Sequence, residues 1–165
     1  MAGLRYGLIG LGMAACLVMT ERAGAMDSGG TSSYGAPAAA ASDSSQMTKA
    51  RGAIAAKDWS GAIAILYRLS QSDPKNADVQ NLLGFSYRML GQYPQAFAYY
   101  DRALALDPMH KGALEYQGEA YLETHQLPKA EANLTTLKRA CAAGCEELAD
   151  LQGAVDRYKM KSKMN

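Results

Sequence analysis

A fixed interval runs through the middle of this chain. Ala62, Ala96 and Ala130 are evenly spaced, Pro74 and Pro108 repeat the same spacing, and the aromatic pair Trp59 and Tyr93 continues as Leu127. A period of about 34 residues constrains the fold more than any other feature. Each unit has to be one small supersecondary element that buries its apolar face by stacking on its neighbours. Composition then selects the kind of unit. Ten Tyr, nine Met and many Ala beside two Phe and one Trp suit packed helices rather than a β-branched sheet. The predicted class is all-α, and 165 residues leave room for one stack of ordinary domain size.

The middle unit carries the fullest pattern: Leu83-Gly84, then Tyr87, Gly91, Tyr93, Ala96, Tyr100, Ala103 and Pro108. It resembles the tetratricopeptide repeat at nearly every signature position except the first, where Gln80 replaces Trp or Leu. The resemblance implies three helix-turn-helix units in a right-handed solenoid, about 43–76, 77–110 and 111–144, within residues 46–142. Small side chains at Gly84 and Ala96 let the two helices of a hairpin approach, and Tyr87, Tyr93 and Tyr100 fill the space around them. Gly91 is expected to end the first helix of its hairpin in a left-handed cap, and Pro108 to end the second. The first unit keeps Trp59, Ala62 and Pro74; the third keeps Gly118, Tyr121 and Ala130 but has His125 at the Gly91 position. Helices are expected near 46–56, 59–71, 77–90, 94–106, 111–124 and 127–141. A closing helix over about 145–160, with Leu148, Leu151, Val155 and Tyr158 at helical spacing, would cover the end of the stack.

Residues 1–25 read as an export signal: Arg5, an uncharged apolar run from Gly7 to Thr20, then Ala23-Gly24-Ala25 before Met26. Cys16 in Met13-Ala14-Ala15-Cys16 offers a lipid anchor as the competing reading. Cleavage removes Arg5, Glu21 and Arg22 and takes the formal charge from +1 to zero. No membrane span is expected after it, and residues 26–45, rich in Ser, Gly and Ala, read as a flexible leader. The expected location is periplasmic or secreted.

A charge near zero supplies no field for a phosphate backbone, so nucleic acid is not an expected partner. The sequence has no GxSxG, Walker or HExxH pattern and no clustered His, Asp and Glu, so no enzyme, cofactor or resident metal is expected. His110 and His125, at the two ends of one predicted helix, read as capping or hydrogen-bonding residues. Cys141 and Cys145 are the thiols left after cleavage, an even number in an exported chain, which favours a disulfide closed through a turn at Gly144. A redox or metal-handling accessory role for this pair stays open as the alternative function.

The main functional expectation comes from the resemblance, which implies a groove for a protein or peptide partner lined by the first helix of each unit. Carried onto this chain, the lining is Met47, Arg51 and Ile54; Asp78, Asn81, Phe85, Arg88 and Met89; and Glu115, Glu119, Leu122 and Glu123. The three Glu repeat every fourth residue and form one acidic row. They either receive a basic segment of the partner or are neutralised by Arg88. Phe85, Met89 and Leu122 would be the apolar anchor. Gly112 and Tyr116 stand where the subgroup with a carboxylate clamp carries cations, so that clamp is missing.

Overall fold

The structure, a computed structural model, describes residues 38–164. The export signal, Cys16 and the leader up to residue 37 lie outside the described residues. Seven helices and no strand are found among those described: α1 (Ala38–Ala55), α2 (Trp59–Ser72), α3 (Ala77–Met89), α4 (Tyr93–Leu106), α5 (Lys111–Glu123), α6 (Leu127–Ala140) and α7 (Glu146–Met164). They pair as the hairpins α1/α2, α3/α4 and α5/α6, each stacked on the next, with α7 against α5 and α6. Two ends differ from expectation. α1 starts at Ala38 rather than near 46, taking in the last part of the stretch read as leader, and α7 runs on to Met164.

The repeat interval is visible as backbone geometry. Lys57, Gly91 and His125 all have positive φ, at 59°, 71° and 59°. At each of them the next residue's N–H reaches back past the helix end: Asp58 to the Ala53 carbonyl at 2.9 Å, Gln92 to Tyr87 at 2.9 Å and Gln126 to Tyr121 at 2.7 Å. This is the Schellman closure, which satisfies carbonyls that the helix end leaves without partners. Only the central unit uses glycine for it. The opposite turns are capped by side chains. The Asn76 side chain accepts from Val79 N–H at 3.2 Å, and His110 Nδ1 accepts from Ala113 N–H at 3.1 Å.

Close approach within and beyond the hairpins explains two further glycines. A Cβ on Gly84 would lie 2.6 Å from the Tyr100 ring, and one on Gly118 would lie 2.7 Å from a Leu151 methyl. Tyr100 therefore lies flat against α3, wholly buried with Ala96 and Ala120. Leu151 enters the notch at Gly118, and with Val155 it closes a core shared with Leu114, Leu122, Leu134 and Leu137. The closing helix thus shares a core with the last hairpin.

Candidate functional site: the inner face of the helical stack

The first helices of successive units approach one another: α3 touches α5 and α5 touches α7, whereas no comparable contact joins α2 to α4 or α4 to α6. The stack therefore curves with α1, α3, α5 and α7 on its inner side. The residues expected to line a groove fall on these helices, and their surroundings differ sharply.

Arg88 is the centre of the face. Its side chain is only 10% exposed, with Nη1 2.7 Å from Glu119 Oε2. Nη2 and Nε donate to the two oxygens of Glu123 at 2.8 and 3.0 Å. One cation so holds two carboxylates, one of them in the bidentate geometry that arginine's planar fork suits. Burial lowers the Arg88 pKa, but the hydrogen bonds to Glu123 and the charges of Glu119 and Glu123 outweigh it, and the net direction is upward. The buried Tyr100 hydroxyl lies beside the same guanidinium; burial pushes it well up despite that positive neighbour. Of the two readings of the acidic row, internal neutralisation holds for Glu119 and Glu123.

Glu115, the first member of that row, is not on an exposed stripe. It is 7% exposed and forms no hydrogen bond or ion pair with any described residue. Its carboxyl is pushed up to about 8, first by burial and then by the charges of Glu119, Asp150 and Glu147. The cause is α7, which the Gly118–Leu151 contact draws against this side of α5. Leu122 is also covered, buried in the core that α7 completes, with only an edge toward the groove. It does not stand out as an exposed apolar anchor.

Phe85 sits between aromatic neighbours, 5.8 Å edge-on from Trp59 and 4.8 Å from Tyr116, so it links three units and is half-buried. Met89 is free of such packing and 43% exposed. Asn81 is buried, and its Oδ1 has no hydrogen-bond partner. Arg51 lies 4.0 Å from Asp78, which also accepts from His110 Nε2 at 3.0 Å. Because Nδ1 of that ring caps α5 as an acceptor, Nε2 carries the proton. Both histidines are structural, for His125 Nδ1 lies 3.2 Å from the Tyr158 hydroxyl.

Between α3, α5 and α7 lies an open cleft of about 340 Å³, bordered by Arg88, Glu119, Leu122 and Glu123 and, from α7, Ala154, Arg157, Tyr158 and Lys161. The α7 contribution was missed by sequence reasoning that stopped the lining at the third unit. A signal was present: Cys145 stands one repeat interval after Lys111, so α7 starts almost in phase with α5.

The Sγ atoms of Cys141 and Cys145 are bonded, with Cα atoms 5.7 Å apart. Gly144, at φ 90°, donates to the Cys141 carbonyl at 2.8 Å and makes the turn. The two sulfurs and a Glu147 oxygen lie within 4.8 Å of one another.

Comparison with known proteins gives one family match, "Tetratricopeptide repeat", over residues 77–110. No curated protein matches the chain. Among solved structures, the Yersinia enterocolitica type III secretion translocator chaperone SycD superposes with TM-score 0.68 at 17% identity, covering 75% of this chain and 88% of that one. PcrH in complex with the chaperone-binding region of PopD gives 0.67 at 19%, covering 74% and 95%. The yeast Sti1 TPR2B domain in its pHsp70 complex gives 0.67 at 14%, covering 72% and 97%.

Proposed function

Since this chain belongs to the tetratricopeptide-repeat family, we propose that it is a non-catalytic interaction module which holds a peptide segment of a protein partner along its inner face, working in the periplasm or outside the cell. The observation that carries the reading is the incompletely filled inner face. A cleft lies open between α3, α5 and α7; on α3, Met89 is exposed and Phe85 presents part of its ring between Trp59 and Tyr116. An apolar strip flanked by fixed charges suits helix-in-groove or extended-segment recognition, in which the strip supplies affinity and the charges set register. PcrH with the PopD region and Sti1 TPR2B with pHsp70 are solved as complexes, which supports the reading by analogy of fold.

With Arg88 engaged to Glu119 and Glu123, affinity should rest on the apolar strip more than on that acidic pair. The test is to select binders from a randomised peptide library with the full chain. Phe85→Ala should weaken the selected peptides at low and at high salt, and Glu119→Gln with Glu123→Gln should have a small effect that fades at high salt. Peptides indifferent to all three substitutions would move the binding surface away from the inner face. Export is tested by N-terminal sequencing of the protein recovered outside the cytoplasm, where a start at Met26 is expected and a lipid-modified Cys16 would replace it.

A second reading has one observation in its favour, the proximity of Cys141, Cys145 and Glu147. Once reduced, two thiolates and a carboxylate would suit a borderline metal such as zinc, or a cycling redox pair. We favour a structural role, because Cys141 is buried and its bond fixes the turn into α7. A pair that resists mild reductant supports the structural role. One that cycles readily supports the accessory function.

A further inference from the structure

Resting on the groove reading above, we propose that the α7 wall of the cleft receives one acidic side chain of the bound segment, an aspartate or glutamate carboxylate held between Arg157 and Lys161. The first observation is how the charges bordering the cleft are shared out. Arg88, Arg157 and Lys161 border it together with Glu119 and Glu123. Both carboxylates are already bound to Arg88. Arg157 and Lys161 form no ion pair or hydrogen bond with any described residue. Their neighbours on α7 differ: Lys159 is paired with Glu131 of α6, and Asp156 accepts from Gln152 Nε2 at 3.1 Å. At the cleft, α7 thus offers two cations that no described acid answers.

The second observation is geometric. Arg157 and Lys161 stand one turn apart on α7 and border the cleft with Ala154 and Tyr158. The Arg157 guanidinium lies back along the helix, where a Cβ on Gly153 would come 3.1 Å from its Nη1. Glycine inside a helix is otherwise disfavoured, and here it leaves that guanidinium room. A second cleft, of about 360 Å³, shares Leu122, Glu123, Tyr158 and Lys161 with the first, so the lining continues past Lys161.

These features select the chemistry of the occupant. A basic side chain entering here meets two like charges and two carboxylates that already have their cation. A carboxylate meets a guanidinium and an ammonium, which carry only donors, and its two oxygens accept from both. It also relieves the repulsion between two cations one helical turn apart. Leu122, Ala154 and Tyr158 beside these donors suit an acid carried on a peptide, whose apolar neighbour covers them, rather than a free anion.

The test uses peptides selected from a randomised library by the full chain at low salt. Each is resynthesised with its Asp and Glu changed one at a time to Asn and Gln, and with its C-terminus amidated. One side-chain neutralisation is expected to weaken binding by about fivefold at low salt and far less near 1 M salt, as for an exposed ion pair. That difference should collapse in Arg157→Gln with Lys161→Gln; both positions are exposed, outside the core that α7 completes. Peptides weakened by Phe85→Ala but indifferent to every neutralisation, or equally weakened by it in the double variant, would overturn this site while leaving the groove. Peptides that respond to amidation alone would overturn the side-chain assignment. Peptides that keep the acid dependence yet ignore Phe85→Ala would support the site and overturn the apolar strip as the source of affinity. Indifference to Phe85→Ala and to the double variant alike, or no peptide selected, would overturn both. Thermal stabilisation by inorganic phosphate alone, abolished in the double variant, would assign the two cations to a free anion and overturn the proposal.

Discussion

Glu115 and Glu119 stand one turn apart on α5 and differ in everything but residue type. Glu119 shares Arg88 with Glu123, while Glu115 is buried without a cation and raised from about 4.5 to about 8. A carboxyl whose folded pKa is raised is bound by its proton more tightly in the native state than in the unfolded chain, so it favours folding fully at pH below about 4.5 and progressively less up to about 8. Stability should therefore fall across that window on account of this group, by less than the full shift implies because the carboxyl keeps some solvent. Glu115→Gln should flatten that slope and raise the melting temperature at pH 8; thermal melts at several pH values in which the two proteins run parallel would contradict the burial of Glu115. Arg88 works in the opposite sense. Arg88→Met strands two carboxylates beside a buried Tyr100 hydroxyl and should cost about 1–3 kcal/mol, less than a fully buried pair would because Glu119 and Glu123 keep some solvent. Adding Glu119→Gln and Glu123→Gln to that variant should restore part of the loss. Denaturant titrations showing the triple variant less stable than Arg88→Met would reverse this account. The pairing of Arg88 was open in the sequence as one of two readings, because helical spacing puts the charges on facing helices. The burial of Glu115 was not, because it depends on how α7 docks.

At the scale of elements, the same left-handed turn closes three helices although glycine occupies only one of the three sites. Lys57 and His125 hold φ near 59°, a conformation that crowds Cβ against the following carbonyl, and glycine is the residue that adopts it without that cost. Lys57→Gly should therefore stabilise the protein by about 0.5–1 kcal/mol, and Gly91→Ala should destabilise it by about 1 kcal/mol. Lys57 is the cleaner probe, since His125 also contacts Tyr158. Equal and opposite shifts in denaturation midpoint would support the assignment; a destabilising Lys57→Gly would show that the side chain does something there that its exposure does not reveal. The element pattern was readable from sequence where Ala, Gly and Pro recur at the fixed interval, and the helices from Trp59 to Ala140 lie within a residue or two of where that interval puts them. The start of α1 was not readable by the same means. The first half of Ala38–Ala55 carries no apolar period in its sequence, so the fixed interval does not mark it; alanine's high intrinsic helix propensity favours the backward extension of the helix.

At the largest scale, the described helices form a one-dimensional stack in which each layer depends on its neighbours, and the last described layer is α7. Three cores follow the chain: one around Ala50, Leu66, Val79 and Leu83, one around Ala96, Tyr100 and Ala120, and one in which α5, α6 and α7 meet around Leu137 and Leu151. Among the described residues, no further hairpin packs behind the third. Leu151 is wholly buried against Gly118, and the glycine has no side chain that could move in to fill a vacancy. Leu151→Ala should therefore lie in the range of about 2–5 kcal/mol expected for a core leucine whose site cannot collapse. The loss should also be local. In native-state hydrogen exchange, amides of α6 and α7 should lose protection first, while those of α3 and α4 around the buried Tyr100 keep most of theirs. Ala96→Phe, placed where both helices of the central hairpin meet, should lower protection throughout by overpacking, at a cost of about 1–3 kcal/mol. The two variants give opposite exchange patterns from changes of similar size. Uniform loss of protection in Leu151→Ala would mean that α7 is bound into one cooperative unit with the central repeat. Removing α7 would then unfold the groove as a whole and not merely uncover its end.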